Sequence, residues 1–265
     1  CAISSIHLSK STFSCIDTGV NIVTMLVTDV NGNQDSCQSR VTVLDTIKPI
    51  VSCQSITVYL NSLGEAIIDS SDIDNGSIDN CGITSITLSK DSFDCSHVGI
   101  NTVQMTVTDV NGNSDTCSAQ VTVVDSILPV AICMDTTVYL SASGSVTITT
   151  TYIDNGSNDN CLLDSVRLSR YIFDCSNVGA NVIQLYAYDS QGNIDSCQSR
   201  VTVLDTTRPV ANCIDTTIYI TGTGSVTIDS SYVNNSMTAG CAISSIHLSK
   251  STFSCIDTGV NIVTM

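Results

Sequence analysis

The chain has 265 residues, 42% of them apolar and only 13% charged, with 9 basic against 25 acidic residues and a net charge of −16. That much apolar material excludes a disordered chain. So acidic a surface repels nucleic-acid phosphates and anionic membranes and attracts divalent cations.

Residues 1–47 read as the end of a repeat that lacks its first two strands, and a proline-bearing link, LDTIKPIVSC at 44–53, leads into the next. There Ile56, Val58 and Leu60 alternate with polar residues and predict a first strand. Gly64 marks a turn, and Ala66 to Asp69 predict a second strand. The stretch SSDIDNGSIDN, 70–80, reads as a polar loop. Ile83, Ile86 and Leu88 predict a third strand with a slip in phase, and Phe93 and Cys95 lie on a short fourth. Val103, Met105 and Val107 alternate cleanly. Asn111-Gly112 predicts a type I′ hairpin turn with both central residues at positive φ, and Val121 and Val123 close the unit. Six or seven short strands in about 80 residues, without a helical period, predict an all-β, immunoglobulin-like sandwich.

The pattern recurs. The 14 cysteines, and Pro49, Pro129 and Pro209, repeat with a step of 80. The domains are therefore expected at 1–47 (partial), 48–127, 128–207 and 208–265 (partial), in a linear array. Residues 241–265 repeat 1–25 without a change, whereas 81–105 shares only 13 of those 25 positions. That identity means either a three-domain super-repeat or a window on a periodic fibre. The chain opens on Cys and shows no signal peptide or membrane-spanning run, which reads as an internal stretch of a longer protein.

Cysteine at this density, without a CxxC motif, points to disulfides in an oxidising compartment. Four cysteines per repeat allow three pairings. The favoured one is Cys81–Cys95, closing a hairpin-sized loop, with Cys53–Cys117, joining the starts of two parallel neighbouring strands. The repeat extends it to Cys1–Cys15, Cys161–Cys175, Cys241–Cys255 and Cys133–Cys197, leaving Cys37 and Cys213 without partners. A Cys37–Cys53 bond is disfavoured, because Cys37 stands about eight strand residues, roughly 27 Å, from the link.

Several motifs resemble the hyalin-repeat (HYR) type of immunoglobulin-like domain: Asn80-Cys81 and Asn160-Cys161, F-x-C-x-x-x-G-x-N at Phe93–Asn101, TD-x-x-GN at Thr108–Asn113, and C-x-x-x-V-T-V at Cys117–Val123. The wording DIDNGS and VTDVNGN is similar to repeats in giant surface adhesins of Bacteroidota, including gliding adhesins. This resemblance implies secretion to the cell surface, great length and an adhesive or filamentous role. The fourth copy departs from it, with NNSMTAG in place of DNGSIDN.

Catalysis finds no support, since His97 becomes Asn177 one step on. Asp109, Asn111, Asn113 and Asp115 alternate as oxygen ligands do in calcium loops, and Asp74, Asp79 and the linker Asp45 are expected at the same pole. Asx-rich turns need no metal, so both readings stand. Thr46, Ser126 and Thr206 sit in Asp-Ser/Thr tripeptides that resemble a bacterial O-glycosylation motif, and Asn75 and Asn155 head N-glycosylation sequons. The expected function is a structural component of an extracellular or cell-surface filament or adhesin, a non-enzyme whose partners are neighbouring copies of the repeat. The alternatives are a ligand- or glycan-binding adhesive module, with surface glycans or cells as partners, and a eukaryotic hyalin-type matrix protein.

Overall fold

A computed structural model describes residues 2–265; Cys1 lies outside the described residues. The chain divides into two units, 1–127 and 128–265.

In the first unit, β1 (Ile3–Leu8), β2 (Gly19–Asp29) and β3 (Gln34–Val43) form a three-stranded sheet. After the link come β4 (Ile56–Tyr59), β5 (Glu65–Ile67), the one-turn helix α1 (Ser70–Ile73), β6 (Ile83–Leu88), β7 (Ser92–Asp94), β8 (Gly99–Asp109) and β9 (Ser114–Val124). They build a four-stranded sheet, β4-β9-β8-β6, and a two-stranded one, β5-β7. β4 and β9 run parallel, with Ile56 opposite Val121. Alternation makes the core: Val103, Met105, Val107, Val121 and Val123 are buried from the larger sheet, Phe93 from the smaller.

The second unit repeats the plan with β10 (Thr136–Tyr139), β11 (Ser145–Thr147), β12 (Leu163–Leu168), β13 (Ile172–Asp174), β14 (Gly179–Asp189) and β15 (Ile194–Leu204). The short strands β16 (Ser225–Thr227) and β17 (Thr252–Ser254) follow. Its main core gathers Val138, Leu140, Ile148, Ile153, Phe173, Leu185 and Val201. A smaller cluster forms around Ile228, Val233 and Phe253. The fold is all-β, of immunoglobulin-like sandwich type, and among the described residues no helix is long and apolar enough to cross a membrane.

Two local readings change, and a third is borne out. The stretch expected as a polar loop holds α1, capped by Asp69, which accepts from Ser71 N and exchanges bonds with Asp72. The cap turns Ile73 inward, where it is fully buried, as is Ile153. The third strand's slip in phase is a register shift between Ile83 and Ser85. The Asn111-Gly112 turn is not type I′, because only Gly112 has positive φ, at +92°. Gly112 N donates to Asp109 O and Asp109 N to Asn113 O, a type I turn followed by a left-handed glycine.

Candidate functional site at the repeat junction

The link at 44–50 and two loops of the next repeat meet at one pole within the first unit. The β8–β9 turn is organised by Asp109, 1% exposed. Its Oδ1 accepts from Asn111 N and Asn113 N, both at 2.8 Å, and its Oδ2 from Asn113 Nδ2 at 2.8 Å. Burial opposes ionisation of Asp109, but these bonds outweigh it and hold the carboxyl below its ordinary value. The loop before β6 supplies Asp79, whose Oδ1 takes Cys81 N at 2.8 Å and Gly82 N at 3.0 Å. Its Oδ2 is buried and has no hydrogen-bond partner among the described residues. Asp45 arrives from the link: its Oδ1 accepts Ile47 N, its Oδ2 accepts Asn111 Nδ2 at 3.0 Å, and its carbonyl accepts Asn113 Nδ2 at 3.1 Å. An oxygen of each of Asp45, Asp79 and Asp109 lies within 4.8 Å of the other two.

Of the residues expected to gather, Asp79 and Asp109 do so, with the linker Asp45. Asn111 and Asn113 are present as N–H donors to Asp45 and Asp109 rather than as oxygen ligands. Asp74 turns away to accept Ser77 N and Oγ, at 2.9 and 2.6 Å. Asp115 is exposed beyond the turn and takes Thr116 N. The alternating Asp-x-Asn-x-Asn spacing therefore mainly closes the loop on its own carboxylate. Asp29 and Asp189 hold their loops the same way. Thr46, Ser126 and Thr206 are each exposed. Each follows an Asp whose Oδ1 takes the N–H two residues on, which leaves the middle hydroxyl at the crest of the turn.

The disulfides redraw the junction. Cys53–Cys117 and Cys133–Cys197 join β4 to β9 and β10 to β15, consistent with the parallel pairs. The expected Cys81–Cys95 and Cys161–Cys175 loops do not form. Cys81 is bonded to Cys15 and Cys175 to Cys241. The reason is distance. Cys81 lies beside the end of β8, where Val110 N donates to Gly82 O. Cys95 precedes the start of β8, with Sγ 3.7 Å from Gly64 O at the other pole. Eleven strand residues, roughly 35 Å, separate the two poles, far beyond the ~4.4–6.8 Å Cα span of a disulfide. Cys81 therefore reaches back to the preceding repeat. Likewise Cys241–Cys255 does not form: among the described residues Cys255 is free and exposed, as are Cys37 and Cys213. The Cys1–Cys15 pairing is excluded by the bond from Cys15 to Cys81.

The HYR-domain family profile matches residues 44–123. The chain is 26% identical over 222 residues to hyalin of Lytechinus variegatus, covering 79% of this chain and 41% of that protein. It is 28% identical over 229 residues to hyalin of Strongylocentrotus purpuratus, covering 82% and 19%. It thus spans under half the length of either. Among solved structures it is similar to Drosophila N-cadherin EC1–4, with TM-score 0.35 and 13% identity, over 71% of this chain and 58% of that one. A protocadherin gamma B7 structure of domains 1–4 gives TM-score 0.32 and 13% identity, over 82% and 69%.

Proposed function

We propose, from the premise that the chain is a hyalin-repeat (HYR)-type protein, that it is a structural stretch of a long extracellular or cell-surface filament. Its repeats at 1–47, 48–127, 128–207 and 208–265 act as stacked spacers, with neighbouring copies as first partners and an adhesive role for the whole. The observation that carries this reading is the junction: consecutive repeats are joined there by a disulfide and by the link's own hydrogen bonds to the next repeat. Such bonds persist in oxidising compartments outside the cytosol. The reading is non-catalytic, since what recurs at the 80-residue step is cysteine, turn and core residues. Electron microscopy of the secreted protein tests it. Thin fibres with an axial step of roughly 35–40 Å, set by the eleven-residue β8, are expected; isolated globular particles would overturn it.

Calcium at the junction is a second reading, favoured by the unpartnered Asp79 Oδ2 beside Asp45 and Asp109. Three carboxylates are the hard oxygen donors calcium takes. Asp45, Asp79 and Asp109 would hold the ion, which would relieve the repulsion among them. Calorimetric titration should show saturable calcium heat that disappears in Asp79→Asn; no heat, with melting indifferent to chelator, would end this reading. Thr46, Ser126 and Thr206 are proposed O-glycan acceptors, to be checked by mass spectrometry of the native protein.

A further inference from the structure

We infer that the joint inside each unit is crossed by two covalent connections, the backbone link and a disulfide, so that each unit stays whole when its backbone link is cut. In the first unit, Cys15–Cys81 closes a ring of sequence separation 66 containing β2 to β5, the link and α1. In the second, Cys175–Cys241 closes an equal ring around the link at 204–213. The two bonds stand at positions related by two 80-residue steps.

The two kinds of disulfide therefore do different work. Cys53–Cys117 pins β4 to β9 within one repeat, and a pull entering there leaves through the 16 residues from Cys117 to Cys133, across the next link. Cys15–Cys81 opens a second route that avoids the link. The first route, fully stretched, spans about 55 Å per repeat at ~3.5 Å per residue, against about 280 Å for 80 unbridged residues. Cys15, Cys81, Cys175 and Cys241 are thus the covalent tie points between repeats. They run a second cable beside the backbone, tolerant of a proteolytic nick in the exposed link and limiting extension if repeats unfold.

This inference deepens the filament reading, but its test reads the connectivity of one chain and does not depend on fibres forming. A site-specific protease sequence is inserted after Thr46 in the full oxidised chain, and the nicked product is run with and without reductant. One intact species without reductant and two fragments with it are expected. Cys15→Ser with Cys81→Ser should part into two fragments without reductant. A second nick, after Thr206, should be held by Cys175–Cys241 in the same way. If the nicked wild-type chain separates without reductant, the inference fails. Should the double variant not fold, disulfide mapping of the unreduced wild-type digest decides: a Cys15–Cys81 peptide supports the inference, and a Cys81–Cys95 peptide overturns it.

Discussion

Two junctions, one in each unit, use the same disulfide and different surroundings. At the first, Asp45, Asp79 and Asp109 converge, and Asn80 Nδ2 lies 3.5 Å from both carboxylate oxygens of Asp45. At the second, Asp205 still precedes the link's proline, but Ala239 stands where Asp79 would and Gly240 where Asn80 would. Polar contact is replaced by backbone crowding. A Cβ on Gly240 would lie 2.4 Å from Thr207 Oγ1, and one on Gly144 would lie 2.1 Å from Gly240 O. Cys175 Sγ sits between Gly144 O and Gly240 O, at 3.5 and 3.4 Å. The tie is constant and the acid cluster is not, so the cluster is an addition to a joint already held covalently.

The largest expected effect tests the constant part. Removing Cys15–Cys81 or Cys175–Cys241 as a serine pair should each cost about 4 kcal/mol by loop-closure entropy for a ring of 66, read by urea titration. Equal losses support a shared tie, and a loss at one joint alone breaks the comparison. Next, Gly240→Ala should destabilise the second unit by about 1–3 kcal/mol through overpacking, while Asn80→Ala leaves the tie of the first unit intact. Differential scanning of both variants separates these outcomes.

Acid should act on the first unit through Asp109. Because its folded carboxyl is held below the ordinary value, its contribution is present above that ordinary value, near pH 4. It is lost as pH falls through the depressed value. Urea midpoints at pH 7 and pH 3 should therefore converge in Asp109→Asn relative to the parent; an unchanged acid response removes Asp109 from the account. The smallest effect concerns the loop of the second junction. Ser236 has φ +63° where Gly76 and Gly156 have +81° and +89°. Ser236→Gly should gain roughly 1 kcal/mol, and Gly76→Ser should lose a similar amount, both measured as shifts in denaturation midpoint.

Strands were legible because alternation at Val103, Met105 and Val107, or at Val121 and Val123, can mean little else. Ile73 was not, since one apolar residue among Ser, Asp and Asn has no period until a cap bends the chain around it. The pairing of Cys81 was hidden by the repeat itself. A partner 14 residues on and a partner 66 residues back belong to the same class of cysteine, and only the length of β8 tells the poles apart. The acid cluster was half legible: Asp79 and Asp109 were expected with Asp45, but which oxygens the turns would consume depends on N–H groups that spacing does not reveal.

Chains of similar neighbours run a particular hazard, because any strand exposed along a sheet's rim is a template for the matching strand next door. The register shift between Ile83 and Ser85 recurs at Leu163/Ser165 and Ile3/Ser5. In each case it falls on a strand at the outer end of its sheet. A bulge twists that rim and spoils the ladder a stray partner would extend. The slip in phase thus works against strand exchange between one repeat and the next, where similar strands stand at high local concentration.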